Sequence, residues 1–182
     1  LLWIAEAVLM FLIGRTKGVA AYEKLSGVLL LLGVFSMGED WLSYGDQFVY
    51  GNENISPFAN ITFASGLLVA AAVGYMLWLS RNRKYVSAIP SENFFRSYFP
   101  YIIAVFFFLV SYQVFFFEIQ AYFSQVPVQA TDPDASWSAG VIDTNRHTVI
   151  LLYSMGYVAI ATLINRRWVK SMETNTACLA AM

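Results

Sequence analysis

Residues that commonly build catalytic and metal sites are scarce in this chain. Its 182 residues include a single cysteine, Cys178, and a single histidine, His147. One cysteine excludes an internal disulfide framework and a cysteine-based metal site, and one histidine excludes a haem held by two histidines. The sequence also lacks a Gly-rich phosphate loop, a nucleophile elbow and a zinc-binding helix motif. It therefore predicts no cofactor, no metal and no catalytic residue.

Charge is scarce as well. Charged residues make up 13% of the chain and the formal net charge is -1, whereas about a quarter of an ordinary globular chain is charged. This balance provides no basic face, so nucleic acid is excluded as a partner. Hydrophobic residues reach 58%, which favours a membrane protein.

The apolar residues are gathered in five runs. A helix needs roughly 20 mostly apolar residues to cross the hydrocarbon core of a bilayer. The runs predict an all-α fold, a polytopic transmembrane helical bundle, with spans near residues 1–13, 19–38, 61–79, 99–121 and 148–164. The intervening segments 39–60 and 124–146 are predicted to be loops, the first lying along the membrane interface.

Basic residues predict the orientation of these spans. Ten of the eleven basic residues lie on one predicted side of the membrane, and the connections on the other side hold only Arg146. The ten lie near the connection between the first two spans, after the third span and after the fifth: Arg15, Lys17 and Lys24; Arg81, Arg83, Lys84 and Arg96; Arg166, Arg167 and Lys170. Because cytoplasmic loops are enriched in Lys and Arg, we expect the amino terminus outside and the carboxyl terminus in the cytoplasm.

Ionisable residues within or beside the spans are candidates for function, because such residues are costly in a membrane. The predicted topology places several polar groups at the outer level, where they could form one cluster. The cluster consists of Glu6, Asp40, Glu118, Arg146 and His147. Glu6 and Glu118 are predicted to be interfacial or structurally paired carboxylates, with Arg146 as the expected partner of Glu118. A transport or catalytic site, such as a proton or cation site, is the alternative.

Small residues recur every fourth position in the third span, at Gly66, Ala70 and Gly74. Such a face permits close approach of another helix, so we expect the third helix to pack through it.

Several short motifs together resemble a known family. They are Leu1-Leu2-Trp3-Ile4-Ala5-Glu6-Ala7, the basic residues after Gly14, Gly38-Glu39-Asp40-Trp41, Asn60-Ile61-Thr62-Phe63 and Phe117-Glu118-Ile119. They are similar to motifs of an uncharacterised family of large polytopic bacterial predicted membrane proteins, a domain of unknown function. The resemblance implies a fragment of a longer chain in the bacterial cytoplasmic membrane.

Residues 1–182 are predicted to be one transmembrane helical region. A second interpretation divides it into a four-helix unit, 1–123, and the first helix of a following repeat, because Leu151-Leu152-Tyr153 parallels Leu1-Leu2-Trp3. The expected partners are membrane lipids and further transmembrane helices, from the same longer chain or from other membrane subunits.

Three functions stay open on this sequence. The first is a structural or assembly module of a larger polytopic protein or complex, which is not an enzyme. The second is a transporter or channel module with an outer-leaflet carboxylate site. The third is an envelope enzyme that acts on a lipid-linked substrate.

Overall fold

The protein is helical throughout the part of the chain that the structure describes. A computed structural model describes residues 1–50, 56–125 and 135–169. Its α-helices are α1 Leu2–Lys17, α2 Ala20–Tyr50, α3 Ile61–Arg81, α4 Phe94–Ser124 and α5 Ala135–Ile164, and a π-helical turn, Asn165–Val169, follows α5. The predicted all-α class is confirmed.

Four of the five helices are long and apolar enough to cross a membrane. The qualifying segments are Ala20–Ser43 of α2, all of α3, all of α4, and Gly140–Arg167. The remaining helix, α1, has 16 residues and therefore rises about 24 Å, which is less than the roughly 30 Å of a hydrocarbon core.

Residues 39–50 of the predicted interfacial loop are helical, which corrects that part of the prediction. Helix α2 continues past Glu39 and Asp40 to Tyr50. The loop was expected because charge and aromatic residues increase there, but neither property ends a helix. The sequence between Met37 and Tyr50 has no proline, and its two glycines do not stop the helix.

Helices α4 and α5 also begin earlier than predicted. Helix α4 begins at Phe94 and contains Pro100 within its second turn. The preceding Asn93 caps it, because the side-chain oxygen accepts a hydrogen bond of 2.9 Å from Phe95 N. Helix α5 extends through the polar residues before position 148. Hydropathy therefore predicted the apolar part of each helix rather than its full length.

The chain divides into two compact units, and each contains parts of several helices. Unit 1 consists of Leu1–Asp40 and Ser65–Ser111. Unit 2 consists of the described residues of Trp41–Ala64 and Tyr112–Met182.

Helix α1 belongs to the core of unit 1. Its residues Ile4, Ala7, Phe11 and Gly14 are buried, and their spacing of three and four residues places them on one face. The rings of Phe11 and Phe99 of α4 meet edge to face at 5.6 Å. A side chain at Gly33 of α2 would collide with Ile4, so α1 and α2 pack closely.

The small residues of α3 lie on its packed side. Gly66 is buried and Ala70 is 8% exposed. A Cβ atom added to Gly74 would lie 2.9 Å from the ring of Phe107 on α4. Because glycine has no Cβ atom, position 74 leaves room for an aromatic ring of the neighbouring helix.

Candidate functional site

A buried carboxylate, Glu23, forms the centre of the polar contacts in unit 1. We call Arg15, Glu23, Ser87 and the backbone of Tyr85 and Ala88 the Glu23 site. The turn from α1 to α2 brings the first two together. Gly18 adopts left-handed backbone angles, φ 67° and ψ 38°, and ends α1 through a hydrogen bond from its N–H to Gly14 O.

The Glu23 carboxylate binds the loop between α3 and α4. The Ser87 hydroxyl donates to Oε2 at 2.7 Å, and the Ala88 N–H donates to Oε1 at 2.9 Å. The residue itself is 1% exposed. Buried carboxylates need such donors, because an unpaired buried charge is very costly.

Arg15 balances the charge of Glu23 and reaches the same loop. Its Nε lies 3.1 Å from Glu23 Oε2, which is an ion-pair distance, although the Nε–H is not aligned for a hydrogen bond. Its Nη1 donates to Tyr85 O at 3.0 Å, and its guanidinium lies over the ring of Phe11, 5.0 Å from the centroid. The pair therefore joins both helices to the loop.

Two neighbouring residues complete this arrangement. A Cβ atom at Gly14 would lie 2.8 Å from Glu23 Cγ and 2.9 Å from Glu23 N, so only glycine lets the two helices approach as they do. Farther along the loop, Arg96 Nη1 donates to Ile89 O at 2.8 Å. The loop is thus held by side chains from α1, α2 and α4.

Unit 2 has its own buried carboxylate, Glu118, near the end of α4. The Glu118 site comprises Phe58, Asn60 and Glu118. Asn60 precedes α3 and caps it, since its Oδ1 accepts a hydrogen bond of 2.7 Å from Phe63 N. With Oδ1 engaged, Nδ2 points to Glu118 and lies 3.0 Å from both carboxylate oxygens.

Glu118 also binds a residue with an unusual backbone conformation, Phe58. Phe58 has a φ of 61° although it is not glycine, and its N–H donates to Glu118 Oε2 at 2.8 Å. Non-glycine residues rarely adopt this left-handed region, so the surrounding contacts must stabilise it. The Phe58 ring contributes by packing edge to face against Phe63 at 5.5 Å.

Residues close to the Glu118 site in the sequence make aromatic contacts. Phe63 contacts Phe115 at 5.5 Å, and Trp41 contacts Phe117 at 5.5 Å. These rings come from α2, α3 and α4, so the carboxylate belongs to a packed region. Glu118 is 1% exposed.

The residues of the predicted cluster are divided between the two units. Arg146 and His147 both approach Asp143 of their own helix; the Arg146 pair is an i,i+3 ion pair, and His147 Nε2 lies 3.4 Å from Asp143 Oδ2. The predicted pairing of Glu118 with Arg146 is therefore corrected: Glu118 accepts from an amide and a backbone N–H. Glu6 is half-buried and Asp40 is exposed, and both belong to unit 1.

A third polar contact joins α4 to α5 within unit 2. The hydroxyls of Tyr112 and Ser154 lie 2.8 Å apart, and the Tyr153 hydroxyl donates to Tyr112 O at 2.8 Å. Tyr112 also stacks on Tyr153 at 5.2 Å and meets Tyr157 edge to face at 5.3 Å. The rings of Tyr112 and Tyr153 therefore make an apolar contact, while each hydroxyl has a hydrogen-bond partner.

Sequence reasoning missed the central role of Glu23. The adjacent Lys24 suggested that this part of α2 lies at the lipid headgroups, and Ser87 is 64 residues away in the chain. The Asn60 cap, in contrast, had a signal: asparagine directly before an apolar helical run is a typical N-cap.

Comparison of the chain with protein-family models, with curated proteins and with solved structures finds no match. The resemblance to the uncharacterised family therefore stays a prediction. The motifs that carried it nevertheless contain residues that meet in unit 2: Asn60 binds Glu118, and Trp41 packs on Phe117.

Proposed function

We propose that this chain is a structural or assembly module within a larger polytopic membrane protein or complex. The observation that carries the proposal is the set of hydrogen bonds that the buried Glu118 carboxylate accepts. Its carboxylate accepts hydrogen bonds from Asn60, which caps α3, and from the strained Phe58. A carboxylate engaged in this way stabilises the beginning of a helix.

The Glu23 site supports the same proposal. Its donors come from the α3–α4 loop, and its cation comes from α1. Buried ion pairs of this kind fix the register of neighbouring elements in some proteins. Both carboxylates thus have structural roles, in which the bound groups belong to the protein itself.

The bacterial cytoplasmic membrane is the proposed location, and further transmembrane helices are the proposed partners. The motif resemblance supports the location. The exposed apolar side chains of α5 support the partners, since Leu151, Leu152, Met155 and Leu163 are each 59 to 64% exposed. Lipid or helices of the same longer chain or of other subunits would cover this surface.

The proposed orientation has the amino terminus outside and the carboxyl terminus in the cytoplasm. It is tested by single cysteines at Arg83 and Asn145, after replacement of Cys178, which lies outside the described residues. An impermeant maleimide should label Asn145→Cys in intact cells and Arg83→Cys only after lysis. Labelling of Arg83→Cys in intact cells would reverse the orientation.

A transporter is the second candidate, because Glu118 is a buried carboxylate in a helix that can span a membrane. The experiment compares wild type with Glu118→Gln in proteoliposomes that contain a pH-sensitive dye and are placed in a proton gradient. A structural module should show the proton flux of protein-free vesicles in both cases. A flux that requires Glu118 would replace the structural proposal by the transporter.

A further inference from the structure

One end of unit 1 concentrates positive charge. The Glu23 site ties the α3–α4 loop to the α1–α2 turn, so the basic residues of both connections lie at the same end. We call the exposed ones the basic end: Lys17, Lys24, Arg81, Arg83 and Lys84.

Little negative charge opposes the basic end. The acidic residues in the two connections and the adjoining helix turns are Glu23 and Glu92. Glu23 is buried and already bound to Arg15, so it does not neutralise the exposed cations. Among the described residues of these segments, the exposed Glu92 stands against Lys17, Lys24, Arg83 and Lys84, without counting Arg81, so the basic end presents an excess of positive charge at its surface.

Exposed aromatic side chains adjoin these cations. Trp78 is 54% exposed and precedes Arg81 by three residues, which places both on one side of α3. At the start of α4, Phe94 and Tyr98 are 71% and 52% exposed, and their rings stack at 4.3 Å. Trp and Tyr prefer the headgroup level of a bilayer. Cations and aromatic rings together are what is expected of a surface at the level of the lipid headgroups.

We propose that the basic end binds the phosphate headgroup of an anionic phospholipid, with the lysines and arginines around the phosphate and the aromatic rings against the upper part of the acyl chains. This assigns a ligand, which the structural module proposed above does not require. Charge complementarity selects an anionic lipid over a zwitterionic one, because a choline headgroup would bring its own cation to the same surface.

Native mass spectrometry of the detergent-solubilised protein tests this assignment. Phosphatidylglycerol should be retained in preference to phosphatidylcholine. Near a charged membrane each Lys contributes enough to change affinity about fivefold. The double variant Lys17→Gln/Lys84→Gln should therefore raise the dissociation constant for phosphatidylglycerol by roughly 25-fold. Lys17→Arg/Lys84→Arg keeps both charges and should leave this constant nearly unchanged.

The matched control removes two exposed cations from unit 2, as Arg166→Gln/Arg167→Gln. A loss of phosphatidylglycerol equal to that of the lysine variant would show a net-charge effect and overturn the assignment to the basic end. Equal retention of phosphatidylcholine by wild type would overturn the anionic specificity. Displacement of the lipid by millimolar inorganic phosphate would show that free phosphate is the ligand.

Discussion

An exchange of donor and acceptor between Asn60 and Glu118 tests the Glu118 site most directly. In the double variant Asn60→Asp/Glu118→Gln the two side chains keep nearly the same shape while charge moves from one to the other. The carboxylate introduced at position 60 would still accept from Phe63 N, and it would also accept from the amide introduced at position 118. The oxygen of that amide would accept from Phe58 N, so the contacts among positions 58, 60, 63 and 118 each keep a donor and an acceptor. The weaker 3.3 Å hydrogen bond from Asn60 Nδ2 to Ser56 O would be lost.

The single variants lack this complementarity. In Glu118→Gln an amide NH₂ faces Asn60 Nδ2, which lies 3.0 Å from both carboxylate oxygens. Losing a hydrogen bond to a charged group costs about 1.5 to 3 kcal/mol. For a chain of this size that lowers the melting temperature by about 3 to 12 °C. Asn60→Asp places two carboxylates in contact and should destabilise at least as much, since both cannot readily ionise.

The measurement is thermal unfolding of these four proteins, and of the two further variants of the Arg146 cycle, in one detergent. The double variant should recover about 0.5 to 3 kcal/mol relative to the sum of the single changes, which is the range for residues in direct contact. The combination Glu118→Gln/Arg146→Gln should instead be additive. Additivity in the first cycle, or strong coupling in the second, would refute the partner assignment.

Four further variants test the Glu23 ion pair and the packing of the helices. Glu23→Gln should cost about 3 to 5 kcal/mol, because it leaves Arg15 buried without its counter-ion. Only partial recovery is expected in Arg15→Met/Glu23→Leu, because the Ala88 N–H and Tyr85 O then lose their side-chain partners. A thermal melt with no loss for Glu23→Gln would contradict the pair. Gly14→Ala should cost about 1 to 3 kcal/mol because the new methyl group meets Glu23. At Gly156 no neighbouring atom of the described residues lies within 4 Å of an added Cβ, so Gly156→Ala should be neutral or stabilise by up to about 1 kcal/mol. Equal melting temperatures for the two alanine variants would argue against close packing at Gly14.

Hydropathy was sufficient to predict the five helices but not their ends. It locates charge-free runs, which correspond to the apolar parts of α2 to α5. Helix ends depend on caps and breakers instead. Asn93 therefore begins α4 at Phe94, and α5 continues through polar residues such as Thr144 and Thr148, whose hydroxyls bond to carbonyls one turn earlier.

The candidate sites were less predictable, for a different reason. The expected partner of Glu118 was sought among cations, and Arg146 was chosen because it was the only one assigned to that side. Two of the donors that the structure shows are an amide and a backbone N–H. Neutral donors are numerous in any sequence, and only the three-dimensional arrangement selects between them. Glu23 does pair with a cation, Arg15, but the serine hydroxyl and main-chain N–H that complete its site lie 64 and 65 residues away in the chain and could not be selected from the sequence.

The Glu23 site can be completed only late in the synthesis of the chain. Arg15 and Glu23 emerge from the ribosome together, but Ala88, the last donor to Glu23, is synthesised 65 residues later. At about 5 to 20 residues per second, the α1–α2 hairpin waits roughly 3 to 13 seconds for its loop. The ion pair within the hairpin allows each charge to shield the other during that interval. A nascent chain with Arg15 replaced would expose Glu23 alone, so its damage should appear during membrane insertion, before the fold is complete.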